Sequence, residues 1–83
     1  MAEQKLLKLT VARVDGPLFD GEVISVMVPG AAGAMEILAN HEALISPLKA
    51  GTLTIKTVDG GREEHAITGG TLEISNNHAT VLL

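Results

Sequence analysis

Hydrophobic and polar residues alternate along most of the chain with the two-residue period of a β-strand that buries one face. Near the N-terminus, Leu7, Leu9 and Val11 alternate with more polar neighbours, and the later run TLTIKTV repeats the pattern with Leu53 and Ile55. We therefore predict strands in both segments, with these five apolar residues facing the core.

The segment EVISVMVP has apolar residues on both faces of a predicted strand. Ile24, Val26 and Val28 share one face, whereas Val23 and Met27 share the other. A strand that is apolar on both faces is typically covered on both sides, and we expect this of EVISVMVP.

In the last third of the chain, TLEIS predicts a strand with Leu72 and Ile74 directed inward and Glu73 outward. HATVLL follows it as a further strand. The shorter runs MEIL and ALISPL are also strand candidates, although their period alone does not separate a strand from a helical turn.

Turn signals recur about every 8 to 12 residues, and no amphipathic helical stretch of useful length occurs between them. They are Asp15-Gly16-Pro17, Asp20-Gly21, Pro29-Gly30, Asp59-Gly60-Gly61, Gly69-Gly70 and Asn76-Asn77. Such spacing predicts an all-β fold, an antiparallel β-sandwich or barrel of short strands, with residues 1–83 as a single domain.

Composition narrows the classes of function. There is no cysteine, which excludes disulfides and thiolate chemistry, and Phe19 is the only aromatic residue. The six basic residues are scattered in a chain of net charge −4, so we predict no nucleic-acid binding. The apolar runs fall far short of the about 20 residues that span a bilayer, and the start MAEQK lacks a signal-peptide core, so no membrane insertion is predicted.

The sequence contains few candidate metal ligands or catalytic residues. The histidines His41, His65 and His78 lack a partner at a recognised metal-ligand spacing, apart from Glu63-Glu64 beside His65, where adjacent residues of a strand face opposite sides. No serine lies in the Gly-x-Ser-x-Gly turn that exposes a nucleophile. We predict no catalytic residue, metal or cofactor.

The Gly- and Ala-rich segment PGAAG is not a phosphate-binding loop, since neither a helix nor a lysine follows it. We interpret it as a tight turn in which Gly30 and Gly33 take backbone angles closed to other residues. An exposed tip of small apolar residues is suited to lying against another protein.

Taken in order, the turns and strands resemble the N-terminal β-sandwich domain of the epsilon subunit of F-type ATP synthases, called delta in mitochondria. The resemblance covers nearly the whole chain, and its specificity lies in the order and spacing of its motifs. These are Phe19-Asp20-Gly21-Glu22-Val23 before a Val-rich strand, Pro29-Gly30 with Gly33, Ile37-Leu38 followed by His41, Leu48 with Gly51, and Gly69-Gly70 with Leu72-Glu73.

The resemblance implies a flattened sandwich of about ten short strands in the central stalk of the rotary enzyme. The domain would perform no chemistry. It would join the gamma subunit to the polar loops of the c-ring and couple proton-driven rotation to ATP synthesis. It would be peripheral to the energy-transducing membrane, on the cytoplasmic side of a bacterial inner membrane.

The resemblance also implies roles for individual residues of this chain. The loop implied to face the c-ring, called the ring-facing loop below, comprises Ala31, Ala32, Ala34 and Met35. The residues implied to face gamma, called the gamma-facing set, are Arg13, His41 and Ser46. The rival interpretation is an independent β-sandwich module that binds a small ligand, a carbohydrate or a protein partner. The scarcity of aromatic side chains argues against carbohydrate.

The sequence departs from the family pattern in three places. Glu36 stands where the family commonly has Gly, and we expect its carboxylate to alter the turn or to contact a basic residue of a partner. Thr71 replaces a bulkier apolar residue. The family's C-terminal helical hairpin, which inhibits ATP hydrolysis, is absent from these residues, and the apolar end at Leu83 favours a truncated chain over a natural stop.

Overall fold

A computed structural model describes residues 5–83, which form six β-strands with no helix among the described residues. The strands are β1 (Leu7–Arg13), β2 (Gly16–Gly30), β3 (Gly33–Leu38), β4 (Leu44–Thr57), β5 (Arg62–Ser75) and β6 (His78–Leu82). Three of them, β2, β4 and β5, are 14 or 15 residues long. The all-β prediction is confirmed.

The strands follow the order β1-β6-β5-β4-β2-β3, and an additional pairing of β1 with β2 closes the sheet on itself. The first part of β2 pairs with β1, and its second part pairs with β3 and β4. All pairings are antiparallel except that of β1 with β6, which is parallel. The long strands therefore pass from one layer of the sandwich to the other.

The expectation of about ten short strands is wrong, because several turn signals lie inside continuous strands. Asp20-Gly21 lies within β2, and Gly69-Gly70 lies within β5. Gly69 and Gly70 have φ angles of 151° and 148°, which other residues adopt at a cost. They bend β5, and its pairing with β4 continues on both sides of the bend.

The core is one cluster of buried apolar side chains contributed by all six strands. Its members are Leu7, Leu9, Val11, Val23, Val26, Val28, Ile37, Leu48, Leu53, Ile55, Ile67, Leu72, Ile74, Ala79 and Val81. The inward orientation predicted for the apolar residues of β1, β4 and β5 is confirmed. Alternation identified these residues because the register of a strand leaves only two choices of face.

The predicted faces of β2 are partly wrong. Val23 is fully buried beside Val26 and Val28, whereas Ile24 is half-buried. The pairing with β4 shifts register between Val23 and Ser25, and this irregularity brings Val23 onto the core face. Met27 is 42% exposed, so the outer face of the strand is not covered as we expected.

The turn predicted at Asp59-Gly60-Gly61 is confirmed, and it joins the antiparallel strands β4 and β5 as a hairpin. Gly60 has a φ of 88°. The Asp59 carboxylate accepts hydrogen bonds from the Thr57 hydroxyl and the Gly61 amide. These donors, Thr57 first, hold the pKa of Asp59 below its usual value because they bind the ionised form.

Candidate protein-interaction surfaces

The ring-facing loop sits on a tight connection between β2 and β3. Gly30 pairs with Gly33, which leaves Ala31 and Ala32 as the two residues of the turn. Gly33 has a φ of 140°, as the turn interpretation requires. Gly30 is needed for a different reason, because a Cβ there would lie 2.6 Å from the Gly33 carbonyl oxygen and 2.9 Å from Met35 Cε.

The side chains of the ring-facing loop divide into two groups. Ala31, Ala32 and Ala34 are exposed, whereas Met35 is half-buried and packs against the core. The tip that a partner can reach therefore consists of three alanines. Met35 anchors the hairpin beneath them.

The ring-facing loop is also fixed to β4. The Ala31 amide donates a hydrogen bond of 3.0 Å to the Pro47 carbonyl oxygen. Pro29 lies so close to Gly51 that a Cβ on Gly51 would be 2.8 Å from Pro29 Cβ. Both contacts hold the loop on the body of the sandwich.

The gamma-facing set lies on three different elements. Arg13 ends β1 and lines a surface cleft of about 330 Å³ together with Ile67 and Leu83. His41 lies in the loop between β3 and β4, with Nδ1 2.8 Å from the Glu42 carbonyl oxygen. Ser46 lies on β4 and donates a 3.1 Å hydrogen bond to the Pro47 carbonyl oxygen. Within residues 5–83, no hydrogen bond or ion pair joins these three side chains.

A row of largely apolar residues, exposed except for the half-buried Ala12, runs across the outside of the sheet. This apolar row crosses five paired strands through Pro47, Thr71, Leu82, Ala12 and Pro17. Leu82 is 56% exposed, and Ile45 nearby on β4 is 70% exposed. Ser46 and Arg13 adjoin Pro47 and Ala12 along their strands, but neighbouring residues of a strand face opposite sides, so their side chains lie outside the row.

The apolar row was missed in the sequence because it depends on the pairing of strands that are distant along the chain. The only local signal was the apolar ending Val81-Leu82-Leu83, in which Val81 is buried and Leu82 is exposed. Thr71 belongs to this outer row and is exposed, so its departure from the family pattern does not affect the core.

Asn77 is a further structural residue that the sequence did not predict. Its Nδ2 donates to the Leu6 carbonyl oxygen at 2.9 Å, and its Oδ1 accepts from the Asn40 amide at 2.7 Å. One side chain thus ties the start of β1 to the loop that carries His41. Asn77 has a φ of 59°, which asparagine tolerates better than most residues.

Replacing Asn77 by glycine is expected to lower the free energy of unfolding by about 1 to 3 kcal/mol, since two hydrogen bonds are lost while the backbone angle stays allowed. Urea unfolding followed by circular dichroism measures the change. Asn76→Gly is the matched control, because Asn76 has a φ of 51° and an exposed side chain. Equal losses in the two variants would contradict the role assigned to the Asn77 amide.

Glu36 contacts residues of its own chain. Its Oε2 accepts a 3.2 Å hydrogen bond from the Ser25 hydroxyl and lies 3.7 Å from Lys56 Nζ. Ser25 is 2% exposed, so Glu36 satisfies a buried hydroxyl. Glu36 thus contacts a basic residue of its own chain, and its contact with a basic residue of a partner stays a prediction.

The three histidines lie on separate elements. His65 Nε2 is 3.3 Å from Glu63 Oε1, and His78 Nε2 is 2.9 Å from Thr10 Oγ1. Among residues 5–83, no three metal-ligating side chains converge. The same residues include no helix long and apolar enough to cross a bilayer.

Comparison with known proteins identifies the family of this small all-β domain. Residues 6–83 match the family described as the beta-sandwich domain of the ATP synthase Delta/Epsilon chain. The chain belongs to this family. The match covers all six strands and both candidate surfaces, and it confirms the resemblance that the motifs carry.

Members of this family in bacteria show the same extent of similarity. The chain is 39% identical to the ATP synthase epsilon chain of Latilactobacillus sakei over 82 residues, which cover 96% of this chain and 57% of that one. It is 35% identical to the ATP synthase epsilon chain of Bacillus subtilis over 78 residues, which cover 94% and 58%. The chain thus spans somewhat more than half the length of these relatives.

Solved structures show the same fold. A chain in the Euglena gracilis mitochondrial ATP synthase, a structure of OSCP, F1 and the c-ring, matches with a TM-score of 0.89 and 21% identity, covering 99% of this chain and 52% of that one. A chain in the central stalk and c-ring of the Tetrahymena thermophila mitochondrial ATP synthase matches with a TM-score of 0.77 and 17% identity, covering 98% and 65%. At 21% and 17% sequence identity, the similarity to these structures shows a shared fold.

Proposed function

We propose that this chain is a non-catalytic rotor subunit in the central stalk of an F-type ATP synthase. It joins the gamma subunit to the c-ring and so couples proton-driven rotation to ATP synthesis. The single observation that carries this proposal is the family match over residues 6–83. Both matching structures contain a c-ring, which supports a ring as one partner.

The geometry supports two separate contacts. The exposed alanines of the ring-facing loop can approach a partner closely, since they present neither charge nor bulk. The apolar row offers a broad and largely apolar face, as the centre of a protein interface does, and Arg13 and Ser46 lie at the adjoining positions of β1 and β4. We assign the loop to the polar loops of the c-ring and the broad face, with His41 at its flank, to gamma.

We further propose that residues 1–83 act as one domain, peripheral to the cytoplasmic side of a bacterial inner membrane. The bacterial relatives support this location. A non-catalytic role is consistent with histidines that lie on separate elements and with serines that hydrogen-bond locally.

A binding experiment with purified partners tests the proposal. The 83-residue chain is immobilised and exposed to the gamma subunit, to detergent-solubilised c-ring, and to both together. We expect gamma and the ring to be retained, most strongly when both are present. A folded chain that retains neither partner would overturn the proposal and favour the rival binding module.

Replacing Ala32 or Ala34 by aspartate is expected to weaken ring binding about tenfold or more, because a carboxylate buried against the ring without a partner is costly. Stability should change by less than about 0.5 kcal/mol, since both side chains are exposed. Isothermal calorimetry and thermal melting measure the two quantities.

Ala66→Asp is the control for these variants, because it adds the same charge at an exposed alanine on β5. It should leave ring affinity near that of the unmodified chain. A sharp fall in melting temperature for Ala32→Asp would show that the loop belongs to the core, and equal ring affinities in all three variants would remove the loop from the interface.

A further inference from the structure

The carbonyl oxygen of Pro47 accepts hydrogen bonds from both candidate surfaces. One donor is the Ala31 amide at 3.0 Å, which belongs to the ring-facing loop. The other is the Ser46 hydroxyl at 3.1 Å, which belongs to the gamma-facing set. A single peptide group therefore lies between the tip assigned to the ring and the face assigned to gamma.

The surroundings of Pro47 make this link short and stiff. Gly30 pairs with Leu48, the residue after Pro47, so the base of the loop is already part of the sheet. On its other side Pro47 pairs with Thr71 of β5, within the apolar row. The proline ring also restricts the local backbone. A displacement of the Pro47 peptide group is thus transmitted directly to the Ala31 amide.

We propose that the Pro47 carbonyl couples the two surfaces, so that gamma bound over β4 increases the affinity of the ring-facing loop for the ring. A partner seated on the apolar row covers Pro47 itself and holds its peptide group in place. The Ala31 amide then stays bonded, and the loop loses less conformational freedom when the ring binds. The coupling is reciprocal, since the ring must increase the affinity for gamma by the same factor.

Amide hydrogen exchange tests this coupling without any substitution. Exchange of the Ala31 amide is measured by nuclear magnetic resonance in the free chain and in the chain saturated with gamma. We expect gamma to slow exchange at Ala31 about fivefold or more. An Ala31 exchange rate that stays the same in the saturated complex would overturn the proposal.

A comparison of ring affinities with and without saturating gamma gives a second test. In the unmodified chain, gamma should increase ring affinity about fivefold or more. Ala31→Pro removes the amide donor, and the ratio should fall close to one.

These outcomes separate the coupling from the proposed function on which it rests. If the chain binds neither gamma nor the ring, the proposed function fails. If it binds both with the same ratio in the unmodified chain and in Ala31→Pro, the coupling alone is wrong. Should Ala31→Pro fail to fold, the exchange measurement on the unmodified chain still decides the question.

Discussion

Replacing Leu72 by alanine is expected to lower the free energy of unfolding by about 2 to 5 kcal/mol. Leu72 is fully buried in β5, between Ser46 of β4 and Val81 of β6. Removing its isobutyl group loses hydrophobic transfer energy and leaves a cavity that strands paired on both sides cannot close. Ile55→Ala is expected to lower the free energy of unfolding by a similar amount, because Ile55 is equally buried.

Such a loss is large for this protein. An 83-residue domain has a total stability of about 4 to 12 kcal/mol, at about 0.05 to 0.15 kcal/mol per residue. Urea unfolding followed by far-ultraviolet circular dichroism measures the change, since the chain has neither tryptophan nor tyrosine. Glu73→Ala is the control, because Glu73 is the exposed neighbour of Leu72. A loss below about 1 kcal/mol in Leu72→Ala would contradict the packing described for β5.

Replacing Gly70 by alanine is expected to cost about 3 kcal/mol or more, for two reasons that add. Its φ of 148° is unfavourable for a residue with a Cβ. The new Cβ would also collide with the Leu82 carbonyl oxygen and lie 3.0 Å from Leu83 Cδ2. Relief of that collision would push β6 away from β5.

Gly16→Ala separates the two causes. Gly16 has a φ of 143°, close to that of Gly70, but a Cβ there would meet no atom within 4 Å. We therefore expect Gly16→Ala to cost about 1 to 2 kcal/mol, the part due to the backbone angle alone. Urea unfolding measures both variants. Equal losses would show that the contact with β6 contributes nothing.

The same glycines explain why the strand count was predicted incorrectly. A Gly pair between two alternating runs indicates a reversal of the chain in most sheets. Here Gly69 and Gly70 bend β5 from one layer to the other, and both halves stay paired with β4. Whether such a residue ends a strand or bends it depends on the neighbouring strands, which lie far away in the sequence.

The two candidate surfaces also differ in whether the local sequence predicts them. The small, exposed tip at Ala31 and Ala32 could be predicted, because its glycines and alanines act locally. The apolar row could not, since it requires the parallel pairing that places Leu82 beside Ala12. Asn77 was missed because its two hydrogen bonds reach Leu6 and Asn40, which lie far from it along the chain.

The sequence by itself determined the all-β class, the inward residues of β1, β4 and β5, and the hairpin at Asp59-Gly60-Gly61. These features follow from alternation and turn chemistry within a few residues. Only the tertiary structure decided that residues 5–83 form six strands, that Val23 is buried in place of Ile24, and that the Pro47 carbonyl oxygen accepts hydrogen bonds from Ala31 and Ser46. Each of these depends on register and hydrogen bonds between distant segments, which the local pattern leaves open.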